Sequence, residues 1–195
     1  MYNDSKPVKP YLNMKDLKNL YLEHQTRVTD NVPEIKHSDL WSEQVSFMAD
    51  EHPFKSPAVF FGYRVLSAED QGEKIQELRL QVDVYLFYET FADTAKGSKK
   101  QQKALDFLDL LTKINACFHA TFGNYYSNMR RNGFNPVETG GAGILYVQRY
   151  ELIMTDDSAS VLYENLKFEQ MEMEVIREEV PPVGNQSGLY GIIEV

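Results

Sequence analysis

The sequence predicts an α+β domain in which a mainly antiparallel sheet carries two principal helices on one face. Three adjoining stretches carry that expectation. From Leu78 to Tyr88 the even positions Leu80, Val82, Val84, Leu86 and Tyr88 are apolar, while Glu77, Arg79, Gln81 and Asp83 fill the odd ones, which is the period of a half-buried strand. From Ala104 onward Phe107, Leu108, Leu111, Ile114, Phe118 and Phe122 recur at steps of three and four, the stripe of a helix about five turns long, and Gly123 is placed to end it. Between the two lies Asp93 to Lys103, with Gly97-Ser98, the lysines Lys96, Lys99, Lys100 and Lys103, and no hydrophobic period. It reads as a solvated loop leading into a helix start.

The remaining elements follow in chain order. Tyr2 to Pro10 carries two prolines and no period, and reads as an arm. Met14 to Val28 sets Leu17, Leu20, Tyr21, His24 and Val28 on one face, the first helix, which Val32-Pro33 closes. Glu34 to Met48 fits a strand after a loop, and Asp50-Glu51-His52-Pro53 a turn. After Pro57, the side chains Val59, Phe61, Tyr63 and Val65 alternate with Phe60, Gly62, Arg64 and Leu66, and Gln71-Gly72-Glu73-Lys74 joins this run to the central strand as an antiparallel hairpin. Asn124 to Arg131 reads as an irregular strand, Asn132-Gly133 as a turn, and Asn135 to Gly143 as a flexible loop. Ile144 to Met154 is a sheet strand ended by Thr155-Asp156-Asp157-Ser158. Tyr85 and Phe87 make the second half of the central strand aromatic on both faces, so it expects cover from a helix or a neighbouring subunit.

The chain divides into one α+β domain over residues 1–160 and an acidic extension over 161–195. In the extension seven acids face two bases, and Met171, Met173 and Val175 alternate with Glu172 and Glu174 as in one further strand. Pro181-Pro182-Val183-Gly184 then cuts the run, leaving a flexible tail. A hydrophobic share of 43% over 195 residues is enough for one full core. The single cysteine excludes an intramolecular disulfide. No run approaches the length of a membrane span and Met1 to Pro10 lacks a signal-peptide core, so a cytosolic site is expected. A net charge of −9 argues against binding nucleic acid through its phosphates.

The search for chemistry gives no catalytic, cofactor or metal residues. Cys117 and His119 are the nearest approach to a nucleophile and base, yet a spacing of two turns them to different sides of a helix. His24, His37, His52 and His119 have no ligand spacing, and no cysteine cluster accompanies them. Gly140-Gly141-Ala142-Gly143 lacks the spacing of a phosphate-binding loop and precedes a strand instead of a helix. The candidate interface residues are Tyr85, Phe87, Lys96, Lys99, Lys100 and Lys103. The lysines would suit an acidic partner, against the blander reading of a solvated face.

The arrangement resembles the tail-terminator, or tail-completion, proteins of long-tailed bacteriophages and prophages. The resemblance rests on the leading helix, on Pro53-Phe54-Lys55-Ser56-Pro57-Ala58-Val59-Phe60-Phe61, on the long strand Leu78 to Phe91, the lysine-rich loop, the amphipathic helix, and the Arg149-Tyr150-Glu151 strand. It covers about residues 14 to 157. It implies a structural subunit with no enzymatic activity and no cofactor, assembled with itself as a ring, expected to be a hexamer, on the last ring of tail tube protein. Such a ring ends tail elongation and offers a head or neck connector protein its docking surface, with DNA passing but not tightly bound. The implied location is the virion tail, reached from the bacterial host cytoplasm. The alternatives are another head–tail connector or a small interaction module of a mobile element.

Overall fold

The computed structural model describes residues 15–47, 54–89, 94–139 and 143–160. The expected arm, the Asp50 to Pro53 turn, Gly140 to Ala142 and the whole extension 161–195, including Glu172 and Glu174, lie outside the described residues. Helix α1 spans Leu17–Asn31, strand β1 His37–Leu40, a short 3-10 turn Gln44–Phe47, β2 Ala58–Gly72, β3 Ile75–Tyr88, α2 Gln101–Phe118, β4 Ser127–Val137 and β5 Ile144–Asp156. The five strands lie in the order β1-β2-β3-β5-β4, with every pairing antiparallel except β1 with β2. The fold is α+β, as the periodicities require.

Asp16 starts α1 because its carboxylate accepts the Asn19 N–H at 2.7 Å, satisfying one orphan donor of the first turn. Leu20, His24 and Val28 are its buried stripe. They join Ala104's neighbours on α2, namely Phe107, Leu110, Leu111, Ile114 and Phe118, against Val59 and Phe61 of β2, the even residues of β3, and Tyr150 and Leu152 of β5. Both helices therefore cover one face of the sheet. The period of β3 was readable because its even side meets helices all along its length while its odd side changes character halfway.

Four local expectations are corrected. The buried row of α2 includes Leu110, not Leu108, which is 43% exposed; the helix stops at Phe118, leaving Phe122 outside it and 68% exposed. Gly123 does not cap α2. The chain turns at His119, whose N–H bonds the Asn115 carbonyl, and Ala120 takes the left-handed conformation at φ 58°. Gly123 is needed for space, since a Cβ there would collide with the Glu23 carboxylate and the Tyr126 ring. Asn132-Gly133 is a register shift within β4, not a turn, and Asn135 to Val137 belong to that strand. Pro136 is tolerated because β4 is an edge. Of the described residues in the stretch Glu34 to Met48, only His37–Leu40 form a strand.

Candidate interface surfaces

The sheet face away from the helices has two chemically different halves. At the end holding the start of β2, the side chains Ala58, Phe60, Phe87 and Leu145 form a second buried cluster with Val45, covered by Trp41 and Phe54. Trp41 stacks on Tyr85 with ring centroids 4.1 Å apart and planes 12° apart, and Phe54 meets Phe87 edge-on at 5.4 Å. The cover expected over Tyr85 and Phe87 is thus supplied by the chain itself. Phe87 is 0% exposed and belongs to the subunit's own core, which withdraws it as a surface for another chain. Tyr85 is half-buried under Trp41; burial raises its phenol pKa, Asp83 and Glu43 add to the rise, and Arg149 opposes it.

Toward the β2–β3 turn the same face becomes a flat ladder of paired polar groups. Arg64 donates to Gln81 at 2.7 Å, and Gln81 donates to Asp83 at 2.8 Å. Asp83 faces Arg149 at 3.6 Å, Arg79 pairs with Glu151, and Asn132 donates to Glu151 at 2.6 Å. Exposed pairs of this kind contribute about 0–1 kcal/mol each, so the ladder sets the pattern of charge more than the stability. A shallow recess of 320 Å³ lies over it, lined by Arg79, Asn128, Arg130, Asn132 and Glu151.

Lys96, Lys99, Lys100 and Lys103 are all exposed and gather at the start of α2. Lys100 holds the cap position without a side-chain cap bond, and no acid stands in the first turn, so the positive end of the helix dipole adds to the lysine charge. The Tyr88 hydroxyl donates to the Lys103 carbonyl at 3.4 Å, which ties this corner to the end of β3. Of the six candidates, the four lysines therefore share one corner, while Tyr85 and Phe87 sit on the far face of the sheet.

The residues considered for catalysis are placed apart. Cys117 is half-buried, and burial pushes its thiol up. His119 accepts the Arg131 N–H on Nδ1 at 3.1 Å, beside β4. His24 is 0% exposed, stacked on Tyr63 with its Nδ1 3.1 Å from the Tyr63 hydroxyl, and edge-on to Tyr126 at 4.9 Å. Burial, helped by the charge of Arg27, lowers its pKa to about 3, so it is a neutral ring in the core. Among the described residues no three His, Cys, Asp or Glu side chains gather as a metal site. No described helix is long and apolar enough to cross a membrane.

A polar brace escaped the sequence reading. The Glu23 carboxylate accepts the N–H groups of Asn124 and Tyr125 at 2.9 and 3.1 Å, and Arg27 donates to the Phe122 carbonyl at 2.9 Å. Together they fasten α1 to the turn after α2, at the floor of an open cleft of 640 Å³ that Leu22, Thr26 and Cys117 also line. Two charged residues four apart on a helix give no sign in sequence that their partners are backbone groups about a hundred residues away. The sequence matches no family model and no curated protein.

Proposed function

We propose that this chain is a structural subunit of a tailed-bacteriophage or prophage tail, closing the tail tube as a ring, ending its elongation and presenting the surface on which the head or neck connector docks. The observation that carries this reading is the element order: a leading helix, a long hairpin, a lysine-bearing corner, a second helix and a returning pair of strands, the order on which the resemblance rests. The two unlike sides of the domain support it. One side is helical; the other carries a ladder of paired charges beside a packed aromatic patch. A ring subunit standing between a tube and a connector needs different chemistry on different surfaces. The acidic balance suits a conduit, because each neutralised phosphate would hold passing DNA back.

Electron microscopy of tails assembled with and without this protein tests the reading. Tubes of unregulated length in its absence support it. Tubes of normal length that merely fail to join heads would move the protein to the connector class.

A further inference from the structure

β1 covers β2 only over Ala58–Phe61, and the Trp41 N–H closes that ladder on the Phe61 carbonyl at 2.9 Å. Beyond it β2 continues to Gly72 with no described strand on that side, and every residue from Arg64 to Gly72 is exposed, Val65 by 47% and Leu66 by 41%. A row of free N–H and C=O groups beside exposed Val and Leu is a template for another strand. The opposite edge of the sheet is built otherwise. β4 carries Pro136 and two register shifts, which deny it a continuous ladder.

The phase of the open edge can be read. The Phe61 carbonyl turns outward to Trp41, and alternation along an antiparallel strand carries the outward backbone to Tyr63 and Val65. Leu66 is the extra residue of the register shift between Val65 and Ser67, so beyond it the outward phase passes to Ala68 and Asp70.

We propose that this edge pairs antiparallel with the same edge of a second copy, with Arg64 opposite Glu69 and Val65 opposite Ala68. The twofold axis then lies between Leu66 and Ser67. In that register the outward backbone of Tyr63 and Val65 meets that of Asp70 and Ala68, and one sheet runs through both copies. The charges select it: the edge is basic at Arg64 and acidic at Glu69-Asp70, so antiparallel pairing matches opposite signs twice, while parallel pairing in register sets Arg64 on Arg64. Charged side chains usually guard an edge against strangers; here their order makes the edge recognise itself. The contact is isologous and closes with two chains, so it is distinct from any contact between neighbours within one ring. It fits two free subunits, or two rings set face to face.

Sedimentation of the full chain at about 0.15 M salt tests this, using the wild type, Arg64→Glu, and the double variant Arg64→Glu/Glu69→Arg. The pairing predicts a two-chain species that the single reversal weakens by about tenfold and the double reversal restores. It also predicts that amide exchange at Val65 and Ala68 slows as protein concentration rises. A wild type that stays monomeric at every concentration, or a pair that Arg64→Glu leaves equally tight, overturns the proposal. A six-membered ring in which those two amides exchange at one rate at all concentrations also overturns it, and leaves the ring reading standing.

Discussion

The side-chain N–H of Gln148 donates to the main-chain carbonyl of Leu111 at 2.7 Å, joining β5 to α2 through a hydrogen bond sealed from water. The other end of the same amide accepts the Tyr150 hydroxyl at 2.6 Å. One buried side chain thus satisfies a helix carbonyl and a tyrosine at once. Gln148→Leu keeps the volume but leaves the Tyr150 hydroxyl only Asn115 Oδ1 at 3.5 Å. It should cost about 1–3 kcal/mol in urea denaturation. Gln148→Glu should cost more, since it sets a buried carboxylate against a carbonyl oxygen. A change below about 0.5 kcal/mol in both variants would show the bond to be dispensable.

The two leucines Leu108 and Leu111 separate the expected from the observed face of α2. Leu111 is buried and Leu108 is 43% exposed. Leu111→Ala should cost about 2–5 kcal/mol and Leu108→Ala within about 0.5 kcal/mol. If Leu108→Ala proved the costlier, the helix would be rotated from the position described.

How far the fold was legible depends on what each stretch faces. β3 read correctly, and α1 did so at Leu20, His24 and Val28, because one partner surface runs along them and a single period shows; Leu17, expected on the same face of α1, is 42% exposed at its first turn. The α2 stripe misled at Leu108 because Leu108 and Leu110 flank the core direction and hydrophobicity alone does not choose between them. Asn132-Gly133 carries turn chemistry, but its place opposite Arg149 on β5 absorbs it as a bulge. Phe87 read as a possible contact for another chain because sequence does not show that Trp41 and Phe54, each distant along the chain, fold back over that face. In sequence Gln148 is only a polar residue among the apolar ones of β5, and its use as a buried donor depends on a carbonyl in another element.

Acid should weaken the domain through His24. Its ordinary value is 6.5 and its folded value about 3, so between those limits the unfolded chain holds the extra proton. Stability therefore rises with pH. The His24 contribution is fully present above its unfolded value and falls by about 1.4 kcal/mol for each pH unit below it. Chemical denaturation at about pH 7 and pH 5 in the wild type and in His24→Leu checks this, since the variant should show a shallower fall. Parallel curves would assign the acid sensitivity to carboxylates instead.

The chain should show no measurable affinity for duplex DNA at about 0.15 M salt, where non-specific binders reach about 10⁻⁴ to 10⁻⁶ M. The motive is the net charge of −9, against which the four exposed lysines at the start of α2 are a local exception. Fluorescence anisotropy with a labelled duplex is the measurement. Micromolar binding that weakens steeply with salt, and is lost when Lys96, Lys99, Lys100 and Lys103 become glutamine, would turn that corner into a phosphate site and remove the conduit reading.

The position of β3 between β2 and β5 has a consequence for synthesis. β2 reaches β3 through a two-residue turn, Glu73-Lys74, and can pair as soon as Tyr88 has emerged from the ribosome. β5 reaches the other edge of β3 from Ile144–Asp156, after α2 and β4 have been made. At about 5–20 residues per second that edge waits for seconds, whereas a hairpin forms in about 1–10 μs. During the wait the strand that becomes the centre of the sheet is temporarily its border, rich in Val and Leu and open to foreign strands. Its two sides are filled in a fixed order, and the nascent chain is most prone to mispairing after β3 is made and before β5 arrives.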